Sequence, residues 1–140
     1  MDLPRNVAAL DRRDRRLCVV AACWLILIRV SLSVQPFAAT RRLCARAAAR
    51  RSRGGAVGRI PWAVETVGAA VPGVTCLVRA LAAEVMLRRA GELPELRIGV
   101  DPTAEDFEAH AWLEWHGRPV VGAGGTEAIV ALPPLDRDGA

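Results

Sequence analysis

The sequence contains no lysine and no tyrosine: all nineteen basic residues are arginine. The first absence excludes Schiff-base chemistry, pyridoxal attachment and a P-loop of the G-x-x-x-x-G-K type. The second removes tyrosine as acid, base or nucleophile. Histidine is scarce at two residues, and aromatic residues make up 4% of the chain. Cys18, Cys23, Cys44 and Cys76 are too few and too irregularly spaced for a disulfide-stapled secreted scaffold. Reduced thiols in a cytoplasmic protein are the simpler reading. Only those four thiols, His110 and His116 remain as groups able to do nucleophilic or acid–base work near neutral pH.

What is present is 140 residues with 52% apolar and 24% charged side chains, enough for one modest core and too apolar for a disordered chain. The net charge of +4 hides an asymmetry. Residues 1–60 carry thirteen Arg against three acids, whereas residues 61–140 carry six Arg against twelve acids. A basic front and an acidic back attract each other, or different partners.

The longest apolar run, Leu17 to Ile28, has twelve residues, short of the roughly 20 that span a bilayer. It continues past Arg29 to Val34, and Pro36 closes it as a first helix. A buried helix is the leading reading. A peripheral membrane helix and a signal peptide, with Arg12, Arg13, Arg15 and Arg16 ahead of the apolar run, are the competing ones. A second helix is predicted over Phe37–Arg51, with Arg41, Arg42, Arg46, Arg50 and Arg51 around an alanine-rich body. Ser52-Arg53-Gly54-Gly55 reads as a loop. Basic runs neutralise phosphates, but no aromatic residue is interleaved here to stack bases. A solvated helix face, or a dock for an acidic peptide, fits this cluster at least as well as nucleic acid.

Ile60-Pro61-Trp62 starts a third helix with proline in the first turn, where its missing N–H costs nothing. Pro72-Gly73 turns the chain, Thr75 can cap, and the next helix is predicted over Val74–Ala90 before Gly91. Val74, Val78, Leu81 and Val85 form one stripe on it; Cys76, Ala80, Ala83 and Leu87 form a second. A helix apolar on two faces belongs inside a domain. Cys76 falls in its first turn, where unpaired N–H groups and the positive dipole end suit a sulfur anion and could donate to an oxyanion. The other three cysteines read as small apolar packing residues.

Strands are predicted at Leu96–Val100, Phe107–Trp115 and Arg118–Val121, with a turn at His116-Gly117. Alternation puts His110, Trp112 and Glu114 on one face of the middle strand. A helix-start cysteine and a mid-strand histidine are the layout of a thiol nucleophile with its base. The plainer reading of His110 is a hydrogen-bonded core histidine, and His116 reads as solvated. A zinc site from Cys76, His110 and His116 would lack paired ligands at short spacing, so no metal is assigned. Gly122, Gly124 and Gly125 lack the strand–helix setting of a dinucleotide site.

Val71-Pro72-Gly73-Val74-Thr75-Cys76-Leu77-Val78-Arg79-Ala80-Leu81, then Leu96–Val100, then Phe107-Glu108-Ala109-His110-Ala111-Trp112-Leu113-Glu114 and Gly117-Arg118-Pro119-Val120 together resemble the lasso-peptide leader peptidases. These are transglutaminase-like cysteine peptidases. The match runs from about Ile60 to Val121 and is compositional over the front half. The short length is similar to the split form, in which leader recognition resides in a separate small protein. The resemblance implies an α+β, transglutaminase/papain-like fold of one domain. Residues 1–59 would form its basic helical N-terminal region, and residues 60–140 its catalytic core of a buried helix on a small antiparallel sheet.

It further implies that Cys76 attacks the bond joining leader to core of a ribosomally made precursor, with His110 as general base and acid. The expected partners are the precursor peptide, a small leader-recognition protein and the lasso cyclase, with no nucleic acid. Peripheral membrane contact through the first helix is a further expectation. Single-chain relatives are described as ATP-dependent; no nucleotide loop occurs in this sequence, and no cofactor is identified. The family pattern places an Asp about a dozen residues beyond the histidine. Here that stretch is Val121-Gly122-Ala123-Gly124. Glu127, or a backbone carbonyl, is left to orient the ring, since Glu114 lies about 13 Å along the strand. The same gap fits a non-catalytic scaffold that holds precursor and cyclase together.

Overall fold

One helix organises the molecule because its middle is shut off from water: every residue from Ala80 to Leu87 is buried. A computed structural model of the chain describes residues 10–52, 56–100, 102, 105–106, 109–122 and 130–131. The elements are α1 (Arg12–Val34), α2 (Phe37–Ala49), a 3-10 turn (Val57–Arg59), α3 (Ile60–Ala70), α4 (Cys76–Arg89), β1 (Glu95–Val100), β2 (Ala109–Trp115), β3 (Arg118–Val121) and β4 (Val130–Ala131). α4 packs against all three other helices and against the sheet, which is the α+β arrangement expected.

Both ends of α4 are closed by local chemistry. Thr75 caps its start, its Oγ1 accepting from the Val78 N–H at 3.4 Å. At the other end Gly91 adopts φ +91°, and the N–H groups of Gly91 and Glu92 return to the carbonyls of Arg88 and Leu87. That Schellman pattern satisfies carbonyls the helix would otherwise orphan. Arg88 and Arg89 occupy the last turn, where positive charge suits the dipole.

The sheet is antiparallel in the order β3-β2-β1-β4. β1 and β2 pair in full register, from Glu95 opposite Glu114 to Val100 opposite Ala109. Leu96 and Leu113 therefore share one face, which joins Val121 in the core cluster with α4. Arg97, Trp112 and His110 belong to the other face of the pleat. β2 and β3 are joined by a tight turn in which His116 (φ +54°) and Gly117 (φ +73°) both take left-handed backbone. Such a two-residue turn matches the twist of the flanking strands. The core is Leu25, Ile28, Val64, Leu81, Val85, Leu87 and Leu113, each at most 1% exposed. Full burial of each such side chain stabilises the fold by about 1.5–3 kcal/mol.

Several elements differ from the expectations. α1 is a 23-residue helix, longer than its uninterrupted apolar run, and is long and apolar enough to cross a membrane by length and composition alone. Only one face of it is buried, through Ala21, Leu25, Ile28 and Ser31. Val19, Ile26, Leu27, Val30 and Val34 stay exposed. α2 ends at Ala49, two residues early, and the Val57–Arg59 turn and β4 have no counterpart in the sequence reading. Arg41 corrects the reading of a solvated arginine cluster: it is 7% exposed and ion-paired to Glu84 of α4. The expectations for Arg53-Gly54-Gly55, Phe107, Gly124, Gly125 and Glu127 fall outside the described residues.

Candidate active site

Cys76 is the first residue of α4, immediately after the Thr75 cap. The cap consumes the Val78 N–H. The N–H groups of Cys76 and Leu77 have no acceptor among the described residues. They lie at a helix start, where the four leading donors lack intrahelical partners and the dipole is positive. A half-buried thiol beside two open donors can attack a carbonyl carbon and hold the oxygen that becomes negative.

His110 is the second residue of β2 and is half-buried. Its Nε2 lies 2.7 Å from the carbonyl oxygen of Gly122. A carbonyl oxygen only accepts, so Nε2 carries the proton, and Nδ1 of the neutral ring keeps the lone pair. Among the described residues Nδ1 has no hydrogen-bond partner. The ring also stacks on Trp112, centroids 6.1 Å apart and planes 20° apart. The histidine is thus restrained along one edge and one face, with one nitrogen open as a base.

Gly122 stands twelve residues beyond His110, where the acid is missing. It occupies φ +72°, and a Cβ there would sit 2.8 Å from the Ala111 carbonyl oxygen. Its N–H donates to Glu65 Oε1 of α3 at 2.7 Å. Glu65 Oε2 in turn meets Arg79 Nη1 of α4 at 3.1 Å, and Arg79 Nη2 donates to the Gly68 carbonyl at 3.2 Å. A continuous polar chain thus runs from the first turn of α4, one residue past Val78, through Glu65 and Gly122 to the His110 ring. Among the described residues no hydrogen bond joins Cys76 directly to His110. α4–β2 packing and this polar chain are what connect their elements.

The family model of the transglutaminase-like superfamily matches residues 22–132. The chain belongs to that superfamily. No curated protein and no solved structure gives a significant match. A transglutaminase-like domain has the general build of a cysteine peptidase, and the superfamily commonly comprises cysteine peptidases and transferases.

Within this transglutaminase-like domain the remaining cysteines have other settings. Burial, reinforced by Glu84 and opposed by Arg41, pushes the Cys44 thiol up to about 11. Burial and the nearby Asp14 carboxylate also raise Cys18, against the pull of Arg59. Cys23 lies exposed on α1. Alkylation at pH 8 followed by peptide mapping should therefore modify Cys23 and Cys76 well before Cys44. Equal rates at Cys44 and Cys23 would mean that the α2–α4 contact opens readily.

The acid Glu114 accepts from Trp112 Nε1 at 3.1 Å and lies 3.8 Å from Arg97, so it serves its own sheet face rather than the histidine. His116 is exposed, with its ring tilted against Trp115 and 4.0 Å from a Glu92 oxygen. The sequence reading did not single out Glu65 or Arg79. Their only local signal was a lone acid on α3 and an arginine within the apolar start of α4.

Proposed function

We propose that this transglutaminase-like protein is a cysteine peptidase that removes the leader from a ribosomally synthesised lasso-peptide precursor. The observation that carries the chemistry is the ring state of His110, protonated on Nε2 by its bond to Gly122 and open at Nδ1, on a strand packed against the capped helix that begins with Cys76. Nδ1 takes the thiol proton, and Sγ bonds to the scissile carbonyl carbon. The oxygen of the tetrahedral intermediate faces the Cys76 and Leu77 N–H groups. Collapse breaks the C–N bond as the imidazolium returns its proton to the departing amine, leaving a thioester. Water, losing a proton to His110, then releases the leader as a carboxylate and regenerates the thiol.

The leader substrate, the small recognition protein, the cyclase and the cytoplasmic location enter with the lasso-peptide resemblance of the motifs around Cys76 and His110. The exposed stripe Val19, Ile26, Leu27, Val30 and Val34 on α1 supports a contact with another surface, the recognition protein in this reading. Several arginines that could otherwise form a nucleic-acid surface are engaged within the fold. Arg59 pairs with Asp14 and lies over Trp62, Arg29 donates to the Gly73 carbonyl, and Arg89 donates to the Ala47 carbonyl.

The test is incubation of the purified protein and the recognition protein with precursor, read by mass spectrometry. Leader and core should appear as separate products, and prior alkylation of the thiols should abolish them. Cleavage that survives complete alkylation overturns the proposal. A second reading, a scaffold that organises the complex without cutting, is favoured by one observation: a neutral carbonyl, not a carboxylate, holds the His110 ring. It predicts intact precursor in the same assay together with co-purification of precursor and cyclase.

A further inference from the structure

We propose that Glu65 is a positioning residue for His110, acting through Gly122 in place of the aspartate that the sequence lacks. The assignment rests on the peptidase reading for its catalytic consequence and on geometry for the rest.

Gly122 is gripped from both sides. Its N–H donates to Glu65 Oε1 and its carbonyl accepts from His110 Nε2, each at 2.7 Å. A charge-assisted bond from a backbone N–H to a carboxylate is roughly twice as strong as a neutral one. Only a glycine fits at this point, because φ is +72° and a Cβ would overlap the Ala111 carbonyl. A glycine at the end of β3 is also the residue with most backbone freedom. Without an anchor on its N–H, the direction of its carbonyl would not be fixed, and neither would the ring edge that it holds.

The anchor is itself held. Arg79 pins Glu65 Oε2 at 3.1 Å and the Gly68 carbonyl at 3.2 Å. Gly68 makes room for it, since a Cβ there would lie 2.8 Å from Arg79 Nε. Arg79 sits three residues beyond Cys76 on the same helix, so the carboxylate is referenced to the element that starts with the nucleophile. Glu65 therefore fixes the orientation and tautomer of the ring without placing its charge on the ring. Its effect falls on the chemical step rather than on substrate binding.

The decisive measurement is the ring-nitrogen NMR spectrum of His110 in the full-length protein. The wild type should display the Nε2–H tautomer. Glu65→Ala should give a tautomer mixture, whereas Glu65→Gln, whose amide oxygen still accepts the Gly122 N–H, should keep the wild-type spectrum. In the cleavage assay Glu65→Ala should lower kcat by about 10- to 100-fold with KM unchanged, and Glu65→Gln should restore most of it. A second measurement needs no variant: the Gly122 amide proton of the wild type should shift as the Glu65 carboxylate titrates.

A wild-type tautomer in Glu65→Ala, a kcat unaffected by that change, or a Gly122 amide blind to the carboxylate overturns the assignment. If Glu65→Ala does not fold, the wild-type titration decides it. Cleavage that persists without Cys76 would remove the peptidase reading while leaving the tautomer result to stand by itself. Failure of the Glu65 arm leaves the Cys76 arm untouched.

Discussion

Replacing Cys76 with alanine should reduce leader cleavage by at least about 10³-fold while leaving the fold intact. The sulfur forms the covalent bond in the proposed mechanism, and alanine offers nothing that His110 could activate. The substitution is also mild for the scaffold. Cys76 is half-buried at the first position of α4, the Thr75 cap acts through its own hydroxyl, and alanine is the strongest helix former. The stability change should stay within about 0.5 kcal/mol. Cleavage and thermal unfolding measured on the same preparation separate chemistry from folding. Cleavage at the wild-type rate would mean that the nucleophile lies elsewhere in the preparation.

The largest effect on stability should come from Glu84→Ala, a loss of about 3–5 kcal/mol. Glu84 is 5% exposed in the middle of α4, and its carboxylate serves two arginines. Oε2 takes the buried Arg41 of α2, and Oε1 takes Arg88 at 3.1 Å. Arg88 is further held by the Pro94 carbonyl at 2.8 Å, whereas Arg41 donates to Glu84 alone among the described residues. Removing the carboxylate strands the Arg41 charge in the α2–α4 interface, and desolvating an unpaired charge costs more than the lost bond. In a domain of ordinary stability, 5–15 kcal/mol at most, that is a large fraction. Urea unfolding should display a lower midpoint with an unchanged slope. A double change, Glu84→Leu with Arg41→Leu, should recover much of the loss by replacing the pair with apolar contact. A loss under about 1 kcal/mol for Glu84→Ala would mean that Arg41 reaches solvent when its partner is removed.

The sequence revealed what rests on period and punctuation. α4 announced itself by two apolar stripes between a threonine and a glycine, and both ends fell within two residues of expectation. β2 and β3 followed from alternation and the His116-Gly117 turn. That His110, Trp112 and Glu114 share a face needed only the pleat. What could not be read was pairing across long separations. Arg41 and Glu84 are 43 residues apart, Glu65 and Gly122 are 57 apart, and neither member of either pair has a local pattern that names its partner. Arg41 looked like one of a solvated cluster because its neighbours Arg42 and Arg46 are just that, exposed on the same helix. A two-residue strand such as β4 is too short for any periodic signal. The transglutaminase-like fold was legible from the motifs around Cys76 and His110. A backbone carbonyl was among the candidates the sequence offered to hold the ring, and Gly122 supplies it; the Glu65 carboxylate behind that glycine was not legible, because it stands 57 residues away on α3.

The bond from His110 to a main-chain oxygen bears on how such a site tolerates change. A support made by a side chain vanishes with one altered codon, and a conventional alanine scan would find it. Every residue type carries a main-chain oxygen, so a substitution at 122 can displace this one by crowding but cannot delete it. Such a scan would register the anchor at Glu65, but the bond to the ring only as that displacement. Lengthening or shortening the chain by one residue after β3 is the kind of edit that would expose it.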